Sequence, residues 1–151
     1  MTFQPAQAMQ GVAQTLAGFQ QDLELGPADE SANSVICVIT KIVRDELGWT
    51  QGRTHPAVLG FDPRRTLAFG WPSADQPYLL AYAHPVARFE DEIEVSLRAR
   101  TQGFRWFLSS NIREWRLTNL ADGYPLEVSG LTSGPATAQF LSAVVRPDIR
   151  S

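Results

Sequence analysis

A chain of 151 residues, 44% hydrophobic and 19% charged, is long enough for one domain with a real core, too short for two, and too apolar for a disordered chain. Its net charge of -3 gives no overall attraction to a phosphate backbone, so nucleic-acid binding would need a local basic surface. A single cysteine excludes a disulfide framework or a cysteine zinc site within the chain.

In chain order, Met9, Val12, Leu16, Phe19 and Leu23 recur at spacings of three and four and predict an amphipathic helix. LGPADESANS follows as a turn-rich connection, with Ser31 or Asn33 as the cap of a second helix over Val35 to Leu47. Cys37, inside VICVI, reads as a small hydrophobe. Gly48 is placed to stop the helix, and Trp49 to fold back on its last turn.

AVLGF, TLAFGW and YLLAYAHPV then predict three strands separated by the turn formers DPRR and PSADQP. FEDEIEVSLRARTQGF predicts a helix with Phe89, Ile93 and Leu97 on one face, and with acids first and arginines last, as the helix dipole favours. RWFLSS and EWRLTNL predict two strands joined around Asn111 and Ile112, with Trp115 and Leu117 sharing one face. Thr132 or Ser133 is placed to cap a last helix that carries Phe140, Leu141, Val144 and Val145 and ends at Pro147. The expected order is ααβββαββα, an α/β (α+β) domain with a mixed central sheet flanked by helices.

MTFQPAQAMQ has neither a basic nor an apolar signal region, and no apolar run approaches the roughly 18 residues of a membrane span, so the expected location is cytoplasmic, without a membrane partner. Lys41 is the only lysine among 13 basic residues. Arg98, Arg100, Arg105, Arg113 and Arg116 fall within nineteen residues against Glu114 alone, and gathered on one face they would hold phosphate. Glu90, Asp91, Glu92 and Glu94 read as a solvated helix start.

Three phrases together, DELGWT, YLLAYAHPV and GFRWFLSSNIREWRLTNL, resemble the N-terminal nuclease-like domain of type I restriction enzyme R subunits, a branch of the PD-(D/E)XK superfamily. In that family a helix with a Leu-Gly-Trp ending precedes an Asp-bearing strand, a Glu-x-Lys strand, a helix and a strand with a spaced Asn, Trp and Leu. Here Asn111, Trp115 and Leu117 take the last pattern. The resemblance covers about Val35 to Leu120 and implies a restriction-endonuclease-like core over 31–120, with 1–30 an N-terminal helix and linker and 121–151 a C-terminal loop and helix in one domain.

The same resemblance implies a degenerate catalytic position. Tyr82-x-His84 stands where the family has Glu-x-Lys, and TLAFG carries no carboxylate. Mg²⁺ needs hard oxygen ligands, so no metal, cofactor or catalytic residue is assigned; Glu46, Asp62 and Asp75 are the carboxylates a relocated site would use. His84 and His55, each before a proline, read as hydrogen-bonded structural residues, and no P-loop, dinucleotide or nucleophile-elbow motif is present. The expected function is a catalytically inactive nuclease-like domain that binds nucleic acid or assists DNA processing. Its rival is an acidic, homodimeric protein-interaction or chaperone-like module with no nucleic-acid binding, and an active metal nuclease with rearranged ligands comes third.

Overall fold

The segment PYLLAYA alternates its side chains across a sheet, and both sets are buried: Leu79, Ala81 and Ala83 on one face, Leu80 and Tyr82 on the other. A strand apolar on both faces needs a helical layer on each side, and the computed structural model supplies both. It describes residues 5–25, 31–52, 55–71, 73, 75–86, 88–123, 125–131 and 135–144. The elements are α1 (Pro5–Leu25), α2 (Ala32–Thr40) continued by π-helical turns (Lys41–Glu46), β1 (Thr50–Gln51), a 3-10 turn (Pro56–Leu59), β2 (Thr66–Gly70), β3 (Pro77–Ala83), α3 (Ile93–Thr101), β4 (Trp106–Ser110), β5 (Glu114–Asn119), β6 (Pro125–Ser129) and α4 (Pro135–Val144).

The six strands lie side by side in chain order. β1, β2 and β3 form an antiparallel meander; α3 carries the chain over so that β4 runs parallel to β3, and β5 and β6 return antiparallel. The domain is therefore α+β with a mixed central sheet, as expected.

One face of the sheet packs against α1, α2 and α4, around Val12, Ile39, Val43, Leu108, Trp115, Leu117 and Phe140. Trp115 and Leu117 share this face, each 1% exposed. Trp49 points into the same layer: its backbone amide returns to the Val43 carbonyl (3.1 Å), but its ring stacks on Tyr78 and its indole Nε1 donates to the Val144 carbonyl of α4 (2.9 Å). The opposite face carries a smaller core of Phe61, Ala68, Leu80, Tyr82, Ala99, Phe104, Phe107 and Leu120, covered by α3 and the 3-10 turn.

Several expectations change. The order is ααβββαβββα, because PLEVS adds β6, which turn-like neighbours had obscured. AVLGF is no strand: His55 Nδ1 accepts from the Ala57 amide and Gly60 closes the 3-10 turn at a φ of 89°. The first strand of the meander is instead the two-residue β1. α3 starts at Ile93, not Phe89, and its Ile93 and Leu97 face outward while Ala99 faces the core. Cys37 is exposed on α2, its neighbours Ile36 and Val38 taking the buried positions. Ser31 stands at the α2 N-cap in extended backbone conformation, and Gly48 follows the helix at a φ of 76°. Phe140, Leu141 and Val144 are buried as expected, whereas Thr132, Ser133, Val145, Pro147 and the Leu23 side chain lie outside the described residues.

Candidate functional site

Strand alternation brings Tyr82 and His84 to the α3 face of β3, Ser109 to the same face of β4 and Arg116 to that of β5, a row of polar groups beneath the return loop. His84 extends the ladder through its amide, which donates to the Ser110 carbonyl (2.9 Å), and Pro85 then ends the strand. The loop folds back so that Phe89 stacks on the imidazole at 4.1 Å between centroids and 30° between planes. Glu92, the residue before α3, drops into the row.

Glu92 is 9% exposed and every oxygen is engaged. Its Oε2 lies 2.7 Å from His84 Nε2, and its Oε1 accepts from Ser109 Oγ (3.1 Å) and Arg116 Nη1 (3.0 Å). The Glu90 amide donates to His84 Nδ1 (3.0 Å), so Nδ1 carries the lone pair and the ring proton sits on Nε2, directed at Glu92. A buried carboxylate with three donors is well satisfied, and low local dielectric strengthens each bond.

Tyr82 lies beside this network. Its ring meets His84 edge-on at 5.1 Å, stacks near Phe107 at 6.0 Å, and carries the Arg65 guanidinium 4.6 Å above its centroid. Burial pushes the phenol pKa up from 10.0; Arg65 opposes this, and Glu90, Glu92 and Asp62 reinforce it. Arg65 is held by the Ala83 carbonyl (3.0 Å) and by Glu90 (2.8 Å), and Arg116 lies 4.4 Å over Phe89 while pairing with Glu127 (2.8 Å). A cleft of about 210 Å³ opens next to Tyr82, lined in part by Phe61, Asp62, Arg65, Glu94 and Arg98.

Across the β2–β3 pair, Thr66 stands opposite Tyr82. Its Oγ1 is buried and has no hydrogen-bond partner among the described residues. Thr66, Tyr82 and His84 thus occupy the adjoining ends of the two strands to which the family resemblance gives its Asp and its Glu-x-Lys. These donors do not fit Mg²⁺: a phenol, a hydroxyl and an imidazole with both nitrogens engaged offer no carboxylate pair. Among the described residues, no three His, Cys, Asp or Glu side chains gather as a metal site.

The relocated-site carboxylates are separated. Glu46 ends the π-helical turns and touches Gly11 of α1, in the layer on the other side of the sheet from Tyr82. Asp62 does reach the cleft, but as the anchor of a turn whose Arg64 amide it accepts (3.0 Å). Asp75 is exposed in the β2–β3 connection.

The five arginines do not form one surface. Arg100 on α3 and Arg105 just before β4 are exposed toward the end of the sheet where β4 begins, while Arg98, two residues before Arg100 and so on the other side of the helix, is bonded to the Gly60 carbonyl. Arg113 is exposed in the β4–β5 turn at the opposite end, and Arg116 is spent on Glu92 and Glu127.

The sequence placed both Glu90 and Glu92 on a solvated helix start and did not single out Ser109 or Arg65. The usable signal was alternation: Tyr82, His84, Ser109 and Arg116 share one face, and an arginine, a histidine and a serine gathered there call for a carboxylate.

Compared with protein-family models, with curated proteins and with solved structures, the chain matches none. No helix among the described residues is long and apolar enough to cross a membrane.

Proposed function

We propose that this chain is a catalytically inactive nuclease-like domain of the cytoplasm that acts by holding nucleic acid for a DNA-processing assembly, not by cutting it. The observation that carries the reading is the state of Tyr82 and His84. They stand at the end of the third strand of a meander, before a crossover helix and a parallel strand, in the order the PD-(D/E)XK resemblance implies. Around them the polar atoms are turned inward, His84 to Glu92 and Glu90, and Glu92 to Ser109 and Arg116. Such a network rigidifies the strand ends, while hydrolysis needs groups that remain available to water, metal and phosphate.

The contact to nucleic acid is assigned to Arg100 and Arg105, which are exposed and make no ion pair with the described residues. Arg113 and Arg116 leave this surface, for they lie at the far end and in a double carboxylate clamp.

Incubation with supercoiled and linear DNA in Mg²⁺ or Mn²⁺ tests the catalytic half of the reading. No cleavage and no defined Mn²⁺ site by calorimetry are expected; cleavage abolished by Asp62→Ala would overturn it.

The exposed apolar side chains Val58, Ile93 and Leu97 favour a second reading, a protein-interaction module.

A further inference from the structure

Among the described residues three large apolar side chains stand out in water: Val58 at 77% exposure, Ile93 at 65% and Leu97 at 58%. Ile93 and Leu97 are four residues apart on α3, so they form one stripe, and it points away from the core that Val95 and Ala99 join from the same helix. Val58 belongs to the 3-10 turn strapped alongside: Gln102 donates to the Leu59 carbonyl (3.2 Å) and Arg98 to that of Gly60, and Leu59 and Leu97 line one shallow groove. A helix is normally oriented to bury its apolar stripe, and this one has turned its own outward.

The charges beside the stripe identify what covers it. Glu94 and Arg98 flank Leu97, one turn apart; Glu94 is 90% exposed in its side chain, and the two charges lie 3.9 Å from each other, a loose pair. Two copies of α3 laid antiparallel about a two-fold axis would set Ile93 against Leu97 of the second copy if the axis passes residue 95. They would set Glu94 against Arg98 of the second copy if it passes residue 96. Moving the axis by one residue shifts the second copy by about 3 Å, so an axis midway between the two leaves each pair offset by only about 1.5 Å along the helix, within reach of side-chain rotamers. One symmetry operation therefore matches apolar to apolar and acid to base, the mark of an isologous interface.

We propose that this face binds a second copy of the same chain, through antiparallel α3 helices with Val58 at the rim. The helix is only about 13 Å long, so the contact is smaller than a standard interface and the dimer dissociates in about the micromolar range.

Sedimentation equilibrium of the full chain without nucleic acid, from about 1 to about 500 µM, tests this separately from the proposed function. The wild type should shift from monomer to dimer over that range. Leu97→Glu should remain monomeric, and Glu94→Arg should weaken association about tenfold or more, because like charges then face each other twice. Arg98→Glu should weaken it likewise, and mixing the Glu94→Arg and Arg98→Glu chains should restore a heterodimer, since the opposed charges then match across the two-fold. Circular dichroism confirms that each variant is folded. A wild type that stays monomeric, a dimer indifferent to Leu97→Glu, or no pairing of the mixed charge variants overturns the proposal.

Discussion

His84 and Glu92, eight residues apart in the chain, meet at 2.7 Å in the interior and close the loop between β3 and α3 on itself. The imidazole is fully buried and the carboxylate nearly so, and Ser109 and Arg116 on two further strands depend on the same acid. This relationship braces the end of β3 against the start of α3.

Removing the brace should be costly. Glu92→Ala leaves the buried His84 Nε2 proton and the buried Ser109 hydroxyl without their acceptor, at about 1–3 kcal/mol for each unsatisfied buried group, while Arg116 keeps its bond to Glu127. Glu92→Gln keeps the shape and one acceptor, so it should cost less. Urea unfolding of both variants measures the difference; wild-type stability for Glu92→Ala would mean that the network is not formed.

Thr66 makes the opposite case. Its buried hydroxyl has no partner among the described residues, so Thr66→Val, similar in size and at home in a strand, should raise stability by about 1 kcal/mol. A loss of that size in the urea midpoint would show that the hydroxyl is bonded in solution.

Tyr82 should give the protein an alkaline dependence. Its phenol pKa is raised above 10.0 chiefly by burial. Between pH 10 and that higher folded value the unfolded chain has lost the proton and the native chain keeps it. The native state then binds more protons, and stability falls as pH rises. Below pH 10 both states are protonated and the group contributes no slope. Tyr82→Phe should therefore lose less stability than wild type between about pH 9 and pH 11, measured by urea unfolding at each pH. Equal losses would show that the phenol titrates as it does in the unfolded chain.

Much of the fold was legible because it follows from side-chain period. The stripe of Met9, Val12, Leu16 and Phe19 and the pairing of Trp115 with Leu117 are local patterns, and both face the core as expected. β6 and the short β1 were hidden because edge strands carry weak apolar alternation, and PLEVS reads as loop beside Gly130. α3 misled because its inward face is narrow: Ala99 is its one fully buried residue, while Ile93 and Leu97 supply the stronger sequence signal on the wrong side.

The candidate site was half legible. Tyr82 and His84 could be found from the strand end, but Glu92 could not be told from Glu90, Asp91 and Glu94, since burial there is decided by where the loop returns. The arginine cluster failed for a related reason: nineteen residues of sequence span the end of a helix, two turns and two strands, which carry neighbouring charges to opposite ends of a sheet.

The central claim, nucleic-acid binding without cleavage through the Arg100–Arg105 end, is tested most directly by fluorescence anisotropy of a labelled duplex titrated with the protein across a range of salt. Weak retention at low salt, falling steeply as salt rises, is expected. Arg100→Ala with Arg105→Ala should flatten the log-log salt slope by about 0.9 for each lost phosphate contact, and Arg113→Ala should leave it unchanged. Absence of binding at the lowest salt, or a slope altered by Arg113→Ala and not by the Arg100 and Arg105 pair, would contradict it.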